Sequence, residues 1–200
     1  MEVLFVVGHD LVENNGKVYL GPGSIETCLR AVELYAQRNV GYHSIIVLTA
    51  GESPRFHANL WERMAAYIDS QVGCTVNRIS FGVPRIQIFP APRFNTSGEM
   101  ERLAQIVSEY RKKHNDLVRV VIVTKWWHGF RCCLLWRYWR IRYGIWGLSS
   151  FVSGHASSAS WGAVALEYLV VIPWNVIREG GAALYALLRW LLAVWWRMPT

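Results

Sequence analysis

Two hundred residues suit one domain enlarged by a terminal appendage, and with 52% hydrophobic residues the chain can bury a substantial core. The net charge of +7 is uneven: residues 1–116 hold 12 Lys/Arg and 12 Asp/Glu, whereas residues 117–200 hold 9 and 2, and ten of the eleven Trp fall from Trp126 onward. Four cysteines without a CxxC pair or a histidine at ligand spacing speak against a zinc site, no metal is expected, and no nucleic-acid motif is visible.

MEVLFVVGHD lacks a basic leader and a cleavage site, so it reads as a first strand over Val3–Val7 and not as a signal peptide. A long polar, glycine-containing loop follows to Gly23, and Ser24 is placed to cap a helix over residues 25–38. Residues 44–48 give a second strand, 56–71 a second helix and 85–89 a third strand. Thr96 and Glu99 have the spacing of a capping box, opening a helix to about Lys113. Residues 117–123 form a β-branched run expected of a strand buried on both faces. A helix after His128 runs to Arg142, with Cys132, Leu135, Trp136 and Trp139 on one face. Residues 143–166 read as loop and short elements, and Tyr168–Ile172 as a fifth strand stopped by Pro173. The last stretch, 180–200, is apolar apart from Arg189 and Arg197 and is expected to form an amphipathic helix, either lying in a membrane interface or packed on protein. Strands alternating with helices at this spacing predict a three-layer, Rossmann-like α/β fold. Its sheet is expected to be mostly parallel with about five strands, over a domain of residues 1–179.

In an open parallel sheet ligands bind at the carboxyl ends of strands, so polar residues at strand exits are the site candidates. They are Gly8, Gly51 with Glu52, Asn95 and Thr96 with Glu99, and Thr124 with His128 and Arg131. Glycines admit a ligand to the backbone, helix starts offer N–H groups to an anion, and a guanidinium pairs with phosphate or carboxylate. His128 and Glu99 are the candidates for moving protons. Each also has a plain structural role open to it: Asn95 and Thr96 are ordinary capping residues, and a histidine at a strand exit can simply pack. Basic charge mixed with Trp suits an anionic membrane surface, and equally a large aromatic core with a solvated arginine face.

The segments VVGHD, SIIVLTAG, WERMAAYI, GVPRIQIFPAPRFNTSGE, VIVTKWWHGFR and EYLVVIPWNVIRE resemble, in order and spacing, the YdcF-like family of bacterial proteins that includes SanA and ElyC. The most specific pieces are N-T-x-x-E and V-T-x-x-x-H-x-x-R. The resemblance implies a Rossmann-like fold, links to the cell envelope and to glycan-precursor metabolism, and in one member nucleotide-type cofactor binding, with no settled reaction. Carried over residue by residue, it puts Asn95, Thr96, Glu99, Thr124, His128 and Arg131 in a pocket with Gly8 and Gly51 at its floor. The family pattern has an acidic residue where Leu60 stands, an arginine where Cys28 stands, and an acidic residue and a serine at Pro90 and Arg93. The expectation is an envelope-associated protein, cytoplasmic or peripheral at the cytoplasmic face of the membrane, that binds an anionic small molecule such as a nucleotide or a phosphorylated glycan precursor. Hydrolase or transferase chemistry would suit that set. The competing expectation is a non-enzymatic protein of an anionic membrane surface with a vestigial pocket.

Overall fold

The computed structural model describes residues 2–8, 10–38, 44–48, 52–53, 55–76, 85–89, 95–114, 118–146, 149–155 and 161–179, with backbone alone at 38, 44, 52, 72–76, 85–86, 114, 149–155 and 163. The chain divides into two compact units, Met1–Ser157 and Ser158–Thr200. The sequence reading drew its boundary at 179, and residues 180–200 lie outside the described ones.

In the first unit β1 (Glu2–Val6) is followed by a hairpin of β2 (Leu11–Asn14) and β3 (Lys17–Leu20), then α1 (Pro22–Arg38) and β4 (Ser44–Leu48). A second small hairpin, β5 (Glu52–Ser53) and β6 (Ala58–Asn59), leads into α2 (Leu60–Val76). Next come β7 (Arg85–Ile88), α3 (Thr96–His114), β8 (Arg119–Lys125), α4 (Trp126–Arg142) and β9 (Ser149–His155). Five strands form one sheet in the order β7-β4-β1-β8-β9, and every neighbouring pair is parallel. The chain builds outward from β1 to one edge, then returns to β8 on the other side of β1, so the topological switch point lies between β1 and β8.

Alternation along the strands decides the layers. Leu4, Val6, Ile46, Leu48, Val121 and Val123 pack with α1 and α2 on one face. Val3, Phe5, Ile45, Val47, Val120 and Ile122 pack with α3 and α4 on the other. The β-branched run of β8 is apolar on both sides because both sides are covered. At the amino edge of the sheet the buried Glu2 carboxylate pairs with Arg119 at 3.5 Å.

Several elements depart from the sequence reading. The long loop after β1 is a hairpin: Asn15 and Gly16 sit at φ 51° and 71°, the two left-handed positions of a type I′ turn, which pairs its flanking residues antiparallel. The second helix starts at Leu60, because Ala58 and Asn59 pair with Ser53 and Glu52 in the β5–β6 hairpin. The fifth strand is Ser149–His155, in register with β8 from Arg119↔Ser149 to Lys125↔His155, and not Tyr168–Ile172. As an edge strand β9 needs one paired side only, which a Ser- and Gly-containing segment can supply through its backbone.

Tyr168–Ile172 instead belongs to the second unit, which is described by itself. There α5 (Trp161–Leu166) runs into a π-helical turn (Glu167–Val171), and helix continues over 172–179. The β-branched run LVVI is helical because its neighbours before and after are helical and no strand in the sheet takes it as a partner.

Candidate functional site

The sheet brings the start of α4 and the start of α3 together although about thirty residues separate them. Asn95 caps α3: its Oδ1 accepts the Gly98 N–H at 2.8 Å while its carbonyl accepts the Glu99 N–H at 3.0 Å. The capping role expected of Thr96 is thus taken one residue earlier, and the Thr96 hydroxyl turns to α4 instead. Arg131 Nη2 donates to Thr96 Oγ1 at 3.1 Å, and Thr96 Oγ1 lies 3.3 Å from His128 Nε2. Arg131 Nη2 also sits 2.9 Å from His128 Nδ1 and 3.2 Å from its Nε2.

These distances constrain the protons. A guanidinium only donates, so the imidazole nitrogen it meets must carry a lone pair. Arg131 Nη2 lies within hydrogen-bond distance of both ring nitrogens, so either neutral tautomer offers it an acceptor, and the tautomer sets whether Thr96 Oγ1 accepts from or donates to Nε2. His128 is buried at the start of α4, with Trp127 edge-on to its ring at 5.7 Å between centroids.

Glu99 is one turn into α3 and buried. Burial pushes its carboxyl up to about 8, against the pull of the Arg131 charge, which lowers it. Near neutral pH the carboxyl therefore holds its proton. Behind this group Trp139 Nε1 donates to Ser97 Oγ at 3.1 Å, a buried bond that fixes α3 against α4.

The other candidates are placed differently. Gly8 lies at the β1 exit, but a Cβ there would meet Leu60 Cδ2 at 2.5 Å and Met64 Sδ at 3.3 Å, so the neighbour closest to it is α2. Thr124 is fully buried at the end of β8. Glu52 joins β5 to β6 through its backbone pairing with Asn59, and its side chain lies outside the described residues, as do Gly51, Pro90 and Arg93. Cys28 is a buried thiol pushed up to about 12 by desolvation, which leaves it inert as a nucleophile or ligand. Among the described residues Cys28, Cys132 and Cys133 are free thiols, and no group of three His, Cys, Asp or Glu has the geometry of a metal site.

Asp10 and Lys125, polar residues at two strand exits of the same sheet edge, make contacts that the order of residues does not show. Asp10 caps α1 from outside the helix: its Oδ1 accepts the Ser24 N–H at 2.9 Å, while Ser24 Oγ accepts the Asp10 N–H at 2.9 Å and donates to the Asp10 carbonyl at 2.9 Å. The signal for it was an acidic residue just past a strand facing a Gly-Pro-Gly-Ser helix start. Lys125, at the end of β8, lays its ammonium on the first turn of α1, where a Cβ on Gly23 would collide with it, and lies 5.7 Å from the Trp127 ring. An open recess of about 500 Å3 between the two hairpins is lined by Leu11, Val12, Glu13, Asn15, Arg55 and Phe56. It shares no residue with the Thr96, His128 and Arg131 cluster, and we take the cluster as the candidate site because it alone combines a proton carrier, a cation and a hydroxyl within hydrogen-bond distance.

No family model, no curated protein and no solved structure matches this chain. The fold and side-chain geometry therefore define the class: a three-layer α/β protein with a parallel sheet and a polar cluster at its carboxyl edge.

Proposed function

We propose that this chain is an envelope-associated α/β protein of YdcF-like type that binds an anionic small molecule, a nucleotide or a phosphorylated, lipid-linked glycan precursor, at Arg131. The observation that carries this reading is the neighbourhood of that guanidinium. It lies beside a histidine and a hydroxyl, and desolvation pushes the nearby buried Glu99 carboxyl up to about 8. A partly buried guanidinium set among hydrogen-bonding groups can pair with an incoming phosphate or carboxylate. The Thr96 O–H adds a donor, His128 supplies a group able to give or take a proton, and neutral Glu99 is a second acid. Those roles suit hydrolytic or transfer chemistry at a phosphoryl or glycosyl centre.

The test is calorimetric titration of a UDP-sugar, undecaprenyl phosphate and S-adenosylmethionine into wild type, His128→Ala and Arg131→Ala. Wild type is expected to bind one of the phosphorylated ligands, with affinity lowered about tenfold or more by Arg131→Ala, as for loss of a charge-assisted hydrogen bond. Equal affinity across the three proteins, or no binding to any, overturns the reading.

A second reading is favoured by Leu60, whose side chain packs on Gly8 where the YdcF-like pattern has an acidic residue. In it the crevice takes no ligand and the chain acts only at a membrane surface. Absence of binding in the titration, with vesicle binding retained, supports that reading over the first.

A further inference from the structure

The helical run 161–179 carries an unusual distribution of burial. Glu167, Ile172 and Glu179 are buried, while Trp161 is 83% exposed, Leu169 76%, Ile177 67% and Trp174 62%. The π-helical turn explains the alignment: the Ile172 N–H bonds to the Glu167 carbonyl, five residues back, so one extra residue is absorbed and Glu167 and Ile172 stay on one side. Glu179 follows seven residues later, two helical turns on, and joins the same seam. The rest of the circumference is apolar and faces outward.

Between residues 161 and 177 that outward surface has no ionised group. Glu167 is the one Asp, Glu, Lys or Arg between 161 and 177 and lies in the buried seam, and Arg178 is held by Glu179 at 2.7 Å. About 25 Å of helix therefore presents Leu, Val, Ile and Trp with nothing to hold water. An exposed apolar surface of this kind marks an interaction site.

We propose that residues 161–179 dock on an anionic phospholipid bilayer, lying in the plane of its interface. Three observations choose this occupant. Trp161, Trp174 and the partly exposed Tyr168 are the residue types that settle at headgroup level, with Leu166, Leu169 and Ile177 between and beyond them to enter the acyl boundary. The whole cationic excess of the chain lies in residues 117–200, which draws it to anionic lipid and sets two copies of the chain against each other. The sequence after the helix, residues 180–200, has only Arg189 and Arg197 charged, so the apolar composition extends along the chain. Docking on the surface, and not crossing, fits the finding that no helix among the described residues is long and apolar enough to span a membrane. This inference rests on the envelope association proposed above and is independent of the Arg131 site.

The experiment is co-sedimentation of the full chain with phosphatidylcholine vesicles and with vesicles containing about 30% phosphatidylglycerol, comparing wild type with the double variant Leu169→Glu/Ile177→Glu, whose fold is checked by circular dichroism. Wild type is expected to bind the anionic vesicles, less so as salt rises, and the double variant to lose about tenfold or more in partition. Where the double variant fails to fold, Trp174→Phe in the folded protein is expected to lose part of the fluorescence quenching by brominated anionic lipid. Unchanged partition of a folded double variant, unchanged quenching in Trp174→Phe, equal binding to neutral vesicles, or self-association without vesicle binding each overturns the proposal. Ligand titration of the double variant separates the two readings, since loss of vesicle binding with retained ligand binding leaves the Arg131 site standing.

Discussion

Two Trp-rich helices of this chain lie in opposite surroundings. In α4, Trp136 and Trp139 are about 2% exposed and fill the core beneath the sheet, whereas Trp161 and Trp174 of the 161–179 run face outward. Residue type does not distinguish them, since both are dense in Trp and aliphatic side chains. Spacing of charge does. In α4 the apolar positions Cys132, Leu135, Trp136 and Trp139 make one buried stripe, and exposed Arg137 and Arg142 stand with Trp126, Phe130 and Ile141 on the remainder, so charge reaches water along that side. The 161–179 run has no charged face to turn to water, so packing along a single seam leaves most of its surface unfinished. The lesson is that a narrow apolar stripe predicts burial within the chain, and a broad one predicts a second phase or partner.

The comparison can be broken at its buried limb first. Trp136→Ala removes a fully buried indole and is expected to destabilise the first unit by about 3–5 kcal/mol, read as a lowered denaturation midpoint. Trp174→Ala, in the same buffer without lipid, is expected to change stability by less than about 0.5 kcal/mol. A large effect of Trp174→Ala would mean that the outward face of 161–179 is packed, and the contrast would fail.

Next in size is the polar end of α4, where Glu99 meets Arg131. Because the folded carboxyl titrates at about 8 and the unfolded one near 4.5, the native state binds this proton more tightly. The contribution is fully present below about 4.5 and is lost as pH rises through about 8, with a slope up to about 1.4 kcal/mol per pH unit between them. Glu99→Gln, which keeps shape without titrating, is expected to flatten the fall in stability over that window. Urea denaturation at stepped pH measures it, and parallel slopes in both proteins would remove Glu99 as the cause. Anion affinity at Arg131 should weaken over the same upper range, as an ionised Glu99 competes for the guanidinium.

A smaller expected loss than that of Trp136→Ala bears on how α4 is held. Ser97→Ala leaves the Trp139 indole N–H without its buried acceptor, and a loss of about 1–3 kcal/mol is expected. Calorimetric melting checks it, and a change below about 0.5 kcal/mol would show that packing alone positions α4 against α3.

Much of this architecture could be read from residues. The runs at Val3, Ser44, Arg85 and Val118 lead into or form strands, α3 begins within a residue of its expected cap, and the buried residues of α4 include the four its spacing names. The hairpin after β1 was legible too, in Asn15-Gly16, but its polar flanks read as loop because β2 and β3 are largely exposed and carry no apolar alternation to bury. Edge strand β9 was hidden for a related reason, since its Ser- and Gly-containing sequence contributes backbone pairing more than a side-chain pattern. The helical state of Tyr168–Ile172 was hidden by its β-branched residues, which suit a strand locally yet here continue a helix.

The candidate site divides in the same way. The order of residues alone marked the candidates for chemistry, Thr96, Glu99, His128 and Arg131, because each stands at a strand exit or in the first turns of a helix that follows one. Only the tertiary structure decided that they meet. Their contacts run between α3 and α4, elements joined by the return of the chain across β1, and a backbone detail, Asn95 taking the cap, turns the Thr96 hydroxyl toward Arg131. Charge followed too: a carboxyl three residues past Thr96 reads as an anion in sequence, and burial beneath the sheet edge makes it a neutral acid, because a low-dielectric surrounding disfavours the ionised form.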